Sequence, residues 1–225
     1  MSSPRPRLAC IDMAGTVVND NGIVLDAFRR ALAATGVEGR ELSVALDYAH
    51  ETMGSPKSVV FDYLLHDEVK VGTAMSEFAA AMDEALGKGA VSEIPGAREA
   101  LARLRDNGLV VCLTTGFSAD VQNAIIEQLK LGEVSDFALA PERGLRGRPY
   151  PDMVLAAALR VPVDDVREVV VVGDTANDLW SGHRAGAAIV AGVLTGSHGR
   201  AELEQAPHTH ILESVAELPP VVLGD

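Results

Sequence analysis

The chain has 225 residues, 48% hydrophobic and 23% charged, which excludes a disordered, fibrous or disulfide-stapled protein and suffices for one sizeable core, alone or with a smaller insert. The 19 Lys and Arg stand against 32 Asp and Glu, a formal net charge of −13. So acidic a surface repels phosphate backbones and anionic lipid, which excludes nucleic acid and membrane surfaces as expected partners.

The first residues, MSSPRPRL, carry basic side chains, but Asp12 breaks the apolar run behind them, so no secretory h-region forms. Nowhere does the chain reach the roughly eighteen uninterrupted apolar residues of a membrane span, and a cytoplasmic location is expected. Apolar runs without polar alternation follow at 8–11 (LACI), 110–113 (VVCL), 137–140 (FALA), 169–172 (VVVV) and 188–193 (AIVAGV). Such runs, each leading into a helix-period stretch, predict parallel strands buried on both faces and an α/β, doubly wound, Rossmann-like parallel sheet. The helix over 98–108 puts Leu101 and Leu104 on one face and stops at an Asn-Gly pair, while the next starts at a Ser118 N-cap and ends at Gly132.

Residues 19–92 read differently, with four helical patterns (LDAFRRALAATG, SVALDYAHETMG, KSVVFDYLLH, MSEFAAAMDEALG) and no strand. The expected organisation is a core of residues 1–18 and 93–225 with a small inserted α-helical cap domain at 19–92, Pro95-Gly96 marking the return. Cys10 and Cys112 each sit in an apolar run, as small buried hydrophobes do.

Chemistry-bearing residues gather at the ends of the predicted strands, where ligands bind in open α/β sheets. The first strand runs into Asp12-Met13-Ala14-Gly15-Thr16; its aspartate serves either chemistry or a turn cap. Thr115 and Gly116 offer a hydroxyl and a backbone N–H at a strand end before a helix, a combination that binds phosphoryl oxygens. Arg148 lies between Gly147 and Pro149-Tyr150-Pro151, a stiff loop around one cation that suits an oxyanion. A further strand ends in Gly173-Asp174-Thr175-Ala176-Asn177-Asp178. Asp12, Asp174 and Asp178 on one sheet edge repel unless a cation lies between them, and oxygen-only ligands point to Mg²⁺. The alternative for Asp178 is a helix N-terminal acid, stabilised by the dipole. His198, His208 and His210 lie near loops without metal-ligand spacing.

These elements in this order resemble the four motifs of the haloacid dehalogenase (HAD) superfamily, in which a helical cap follows the first motif. DMAGT, TTGF, GRPYP and GDTANDL together look like its phosphonatase-like branch, the phosphonoacetaldehyde hydrolases and their relatives. The resemblance implies an Asp12 nucleophile that forms an aspartyl-phosphate, with Thr115, the Gly116 amide and Arg148 on the phosphoryl oxygens. It also implies Mg²⁺ held by Asp12, the Ala14 carbonyl and Asp174, with Asp178 anchoring the metal or its waters.

Ala14 stands where other branches place the acid that protonates an alcohol leaving group. In the phosphonatase-like branch a cap lysine forms a Schiff base with an aldehyde, the carbon leaves as an enamine, and no acid is needed there. Met53-Gly54-Ser55-Pro56-Lys57 resembles that branch's Met-Gly-x-x-Lys cap segment, with Met53 against the substrate and Lys57 as the amine. Ser55 as N-cap and Pro56 at the first helical position put Lys57 in a first turn, where the helix dipole disfavours an ammonium; a solvated surface lysine is the alternative. The branch's cap histidine, its tyrosine after Thr-Gly and its cap cysteine match Val60, Phe117 and Gly22 here. The expected substrate is a small phosphonate, with a phosphomonoesterase of the phosphoglycolate phosphatase kind and a catalytically weak phosphate-binding protein as alternatives. Members of the resembled family often pair through the cap, so the resemblance allows a homodimer and leaves the oligomeric state open.

Overall fold

The computed structural model describes residues 4–224. In chain order the elements are β1 (Leu8–Asp12), β2 (Val18–Asn19), α1 (Ile23–Ala34), α2 (Gly39–Glu51), α3 (Lys57–Leu65), α4 (Glu68–Gly87), β3 (Ser92–Glu93), α5 (Ala97–Asp106) and β4 (Val110–Thr114). There follow α6 (Ala119–Gln128), β5 (Phe137–Leu139), α7 (Asp152–Arg160), β6 (Val169–Gly173), α8 (Ala176–Ala185), β7 (Ile189–Val193), α9 (Arg200–Leu203), β8 (His210–Leu212) and α10 (Leu218–Leu223).

Six strands form one sheet in the order β5-β4-β1-β6-β7-β8 with every pairing parallel, the α/β doubly wound arrangement the apolar runs predict. Every residue of β1 and β6 is buried because helices cover both faces. Strand order reverses beside β1: the chain steps outward through β4 and β5, then returns to β1's other edge with β6. The crevice at that switch point opens where β1, β4 and β6 end, which puts Asp12, Thr115 and Asp174 around it. Cys10 and Cys112 are register partners in the apolar layer that also holds Met153, Val169 and Val171; both are free, and the Cys10 contact and burial push the Cys112 thiol up.

Helices α1 to α4 lie between β2 and β3. Val24, Ala27, Phe28, Ala31 and Leu32 make the buried stripe of α1. Phe28 meets Phe61 of α3 and Phe78 of α4 at ring centroid distances of 5.1 Å each, so three aromatic rings form this block's centre.

The structure departs from the sequence expectations in detail. β2 and β3, absent from the reading, pair Val18 with Glu93 and Asn19 with Ser92, so the expected division at 18/19 and 92/93 falls inside this ribbon. Strands of two residues are too short to show a period. Edge strand β8 was also unread. α6 ends at Gln128 rather than at Gly132, because Lys130 turns the chain with a φ of 51° and residues Leu131–Glu133 form a 3₁₀ turn. No helix among the described residues is long and apolar enough to cross a membrane.

Candidate active site

Asp12 ends β1 and is 3% exposed. The backbone turns sharply behind it: the Met13 carbonyl accepts from the Val17 and Val18 amides at 2.9 and 2.8 Å, and Gly15 takes a φ of +83°. Asp174 follows β6, and its Oδ2 accepts from the Ser197 amide at 2.6 Å. A Cβ on Gly15 or on Gly196 would collide with the Asp174 carboxylate, so only glycine lets these two backbones close around it. Thr195 completes the clasp by donating to the Gly15 carbonyl at 2.6 Å.

Arg148 reaches in from the loop between β5 and α7, 4% exposed, and its Nη1 donates to Asp12 Oδ1 at 2.5 Å and to Asp178 Oδ1. Asp178 is the third residue of α8, and its Oδ2 accepts from the backbone and the hydroxyl of Thr175 in a capping box. Both Asp178 oxygens are thus engaged, one by the helix start and one by Arg148. Asp178 thus caps α8, as one of its two sequence readings has it, and also holds the arginine that faces Asp12.

Burial pushes the Asp12 carboxyl up to about 6; the Arg148 guanidinium opposes this and the Asp178 charge adds to it. Asp174 is pushed well above the carboxylate range by burial and by Asp12 and Asp178. Arg148 loses solvation on burial, yet Asp12 and Asp178 hold it above its ordinary value. Three carboxylates with ligand oxygens within 4.8 Å of one another therefore face a single guanidinium. Hard oxygen donors with excess negative charge in one place fit a divalent cation, and Asp12 and Asp174 each keep an oxygen not taken by Arg148 or Ser197. Among the described residues this is the one group with the makings of a metal site. Of the three histidines singled out, His198 accepts the Ala176 amide on Nδ1 at 3.1 Å, while Nδ1 of His208 and of His210 lies at hydrogen-bonding distance from the Ala206 carbonyl and the Thr209 hydroxyl.

Lys57 is not a solvated surface lysine: it is 6% exposed. Its Nζ lies 3.8 Å from Met53 Sδ and 5.3 and 5.4 Å from the ring centroids of Phe28 and Phe117. Burial, with Arg148 adding to it, lowers its pKa to about 8, against the fields of Asp12, Asp174 and Asp20. The expected helix start shifts by one residue: Pro56 is the N-cap of α3 and Lys57 the first helical residue, while the Ser55 hydroxyl accepts from Asn177 at 3.1 Å.

One cleft of about 260 Å³ is lined by Asp12, Ala14, Met53, Lys57, Thr115, Gly116, Arg148 and Asp174. Every candidate from the sequence meets there except Asp178, which lies behind Arg148. Gly22 and Phe117 also line it, whereas Val60 is packed into the hydrophobic core. Sequence reasoning missed the Thr195-Gly196-Ser197 clasp and Asn177; a Gly-Ser pair beyond an apolar run was the available signal for the clasp.

A six-stranded parallel sheet whose switch point gathers three carboxylates able to hold a metal and one guanidinium defines the class of protein, an α/β fold with a polar site at its strand ends. The family model described as haloacid dehalogenase-like hydrolase matches residues 6–186, and the chain belongs to that family of enzymes. It is 29% identical over 256 aligned residues to a phosphonoacetaldehyde hydrolase of Pseudomonas aeruginosa (strain UCBPP-PA14), covering 95% of this chain and 90% of that protein. To the phosphonoacetaldehyde hydrolase of Pseudomonas putida it is 38% identical over 105 residues, which span 46% of this chain and 38% of that one. Among solved structures, a phosphonoacetaldehyde hydrolase-like protein from Oleispira antarctica superposes with a TM-score of 0.83 at 22% identity, covering 99% of this chain and 93% of that one. A putative phosphoglycolate phosphatase from Lactobacillus delbrueckii subsp. bulgaricus gives a TM-score of 0.77 at 20% identity over 99% and 100% of the two chains. At such identities the two structures bear on the fold alone.

Proposed function

We propose that the chain is a Mg²⁺-dependent hydrolase of the phosphonatase-like branch, cleaving the C–P bond of phosphonoacetaldehyde or a related 2-oxoalkyl phosphonate. The observation that carries this reading is Lys57, a buried amine in the cleft of Asp12 that makes no ion pair among the described residues and whose pKa burial lowers to about 8. Ala14 supports it, since a side chain without an acid leaves an alkoxide leaving group unprotonated. The relatives named phosphonoacetaldehyde hydrolase support it as well.

Residues 19–92 act as the cap. The neutral Lys57 amine adds to the substrate carbonyl, and the adduct takes up a proton and loses water to form an iminium. Asp12 attacks phosphorus in line, the P–C bond breaks, and its electron pair moves into the iminium to give an enamine. Water then hydrolyses the aspartyl-phosphate, and the enamine, protonated at carbon, is hydrolysed to the free aldehyde and the Lys57 amine. Thr115, the Gly116 amide and Arg148 hold the phosphoryl oxygens where charge develops. Asp12, the Ala14 carbonyl and Asp174 would hold Mg²⁺, which supplies charge neutralisation that lets one anion attack another. Asp178 keeps Arg148 aimed at Asp12.

The test is phosphate release from phosphonoacetaldehyde with Mg²⁺, with parallel samples treated with borohydride. Expected are turnover and a reduced adduct on Lys57, and for Asp12→Asn an adduct without turnover. An active Asn variant excludes the nucleophile assignment. A second reading has its own observation: Val60 and Phe117 are apolar where the resembled branch has histidine and tyrosine. Turnover of phosphate monoesters with no trapped adduct establishes that reading, a phosphomonoesterase in which Lys57 binds an anionic group.

A further inference from the structure

Residues 53–56, which lead into α3, press against three loops at the sheet edge with almost no side chain between them. A Cβ on Gly116 would lie 2.8 Å from the carbonyl oxygens of both Gly54 and Ser55. One on Gly147 would strike the Pro56 ring, and one on Gly54, whose φ is +84°, would lie 2.6 Å from Thr175 Oγ1. At Gly116 backbone therefore meets backbone, and at Gly147 and Gly54 a glycine makes room for the Pro56 ring and the Thr175 hydroxyl. Among the described residues two side-chain hydrogen bonds cross between the helical block and the core, and both come from Asn177. Its Nδ2 donates to the Met53 carbonyl at 3.0 Å and to the Ser55 hydroxyl at 3.1 Å.

Asn177 is not needed by its own helix. The start of α8 is capped by the Thr175–Asp178 box, and the Ala176 amide is satisfied by His198. The Asn177 amide group is spent across the seam instead. Its partners flank the platform on which Lys57 sits, since Met53 also supplies the sulfur 3.8 Å from Lys57 Nζ. Its own position is set by β6 and by Asp174 and Asp178, its neighbours in sequence.

We infer that Asn177 is a positioning residue that latches the helical block onto the core and sets Lys57 over the cleft opposite Asp12. Only the kinetic consequence rests on the Schiff-base reading of Lys57; the latch itself does not. With the latch made, residues 53–56 shut the cleft and Lys57 is withheld from bulk water. With it broken, the segment lifts and Lys57 becomes accessible.

The test uses Asn177→Asp and Asn177→Ala in the full chain. Asp has the same shape and suits the first turn of a helix, so α8 is kept, but its carboxylate has no N–H for the Met53 carbonyl. Lys57 is labelled with trinitrobenzenesulfonate and quantified by peptide mass spectrometry, while amide hydrogen exchange is followed at 52–58, with β1 and β6 as the internal control. Both variants are expected to label Lys57 faster than the parent chain and to exchange faster at 52–58 with β1 and β6 unchanged, Asn177→Ala about tenfold, as loss of two hydrogen bonds predicts, and Asn177→Asp about threefold, since the Ser55 hydroxyl can donate to its carboxylate and only the bond to Met53 is lost. Borohydride trapping with phosphonoacetaldehyde is expected to slow by a similar factor. Labelling at the parental rate in both variants overturns the latch, as does faster labelling that comes only with lost protection in β1 and β6. If the parent chain never traps an adduct while labelling still responds to Asn177, the latch stands and the Schiff-base reading falls.

Discussion

Lys57 shows at the scale of one residue how function sits against stability. Its ammonium has two aromatic rings and a thioether for neighbours in place of water. Its folded pKa of about 8 lies below the ordinary 10.5, so between these values the unfolded chain binds more protons and stability rises with pH. Below about pH 8 the full cost applies, on the order of 3 kcal/mol. Lys57→Met keeps the side-chain length without the charge. It is expected to stabilise the protein at pH 7 by up to about 3 kcal/mol in urea denaturation, an advantage that shrinks as pH climbs from about 8 to 10.5, while abolishing the borohydride adduct. Equal stability of the two proteins at pH 7 would show that the amine is solvated. The Met-Gly-x-x-Lys spacing made Lys57 legible as a candidate. Its desolvation was not, because Phe28 comes from α1 and Phe117 from the loop after β4.

At the scale of elements, the strand-end loops and the segment before α3 work as one joint, and glycine is what lets it close. Gly116→Ala places a methyl group against two backbone carbonyls that cannot rotate away. The 53–56 segment then lifts while the Phe28–Phe61–Phe78 packing remains. Turnover of phosphonoacetaldehyde is expected to fall about 100-fold, since a displacement near 1 Å carries such a penalty, with a melting temperature only a few degrees lower; unchanged turnover would mean that closure of the joint is not needed for chemistry. The long elements were readable from periodicity. β2 and β3 were not, because two residues carry no period, and β8 was not, because only Ile211 and Leu212 are apolar there between polar neighbours.

For the molecule as a whole, a net charge of −13 opposes the approach of an anionic substrate to a cleft whose cations are Arg148 and Lys57. Salt screens that long-range repulsion, while buried contacts in the cleft are screened far less. Raising ionic strength from about 10 to about 150 mM is therefore expected to increase kcat/KM for the phosphonate and leave kcat nearly constant. A falling kcat/KM would instead reveal local attraction strong enough to steer the substrate.

The sequence by itself determined the layered α/β architecture, the helical insertion and the residues that meet at the sheet edge. Apolar runs, helix periods and strand-end motifs are local properties, and parallel topology brings strand ends together. Only the tertiary structure decided which groups restrain one another. Arg148 between Asp12 and Asp178, Asp174 between Gly15 and Gly196, and Lys57 between Phe28 and Phe117 are each held by residues distant in the chain. Burial and electric field depend on what the fold packs around a group, and that sets the charge of Asp12 and Lys57.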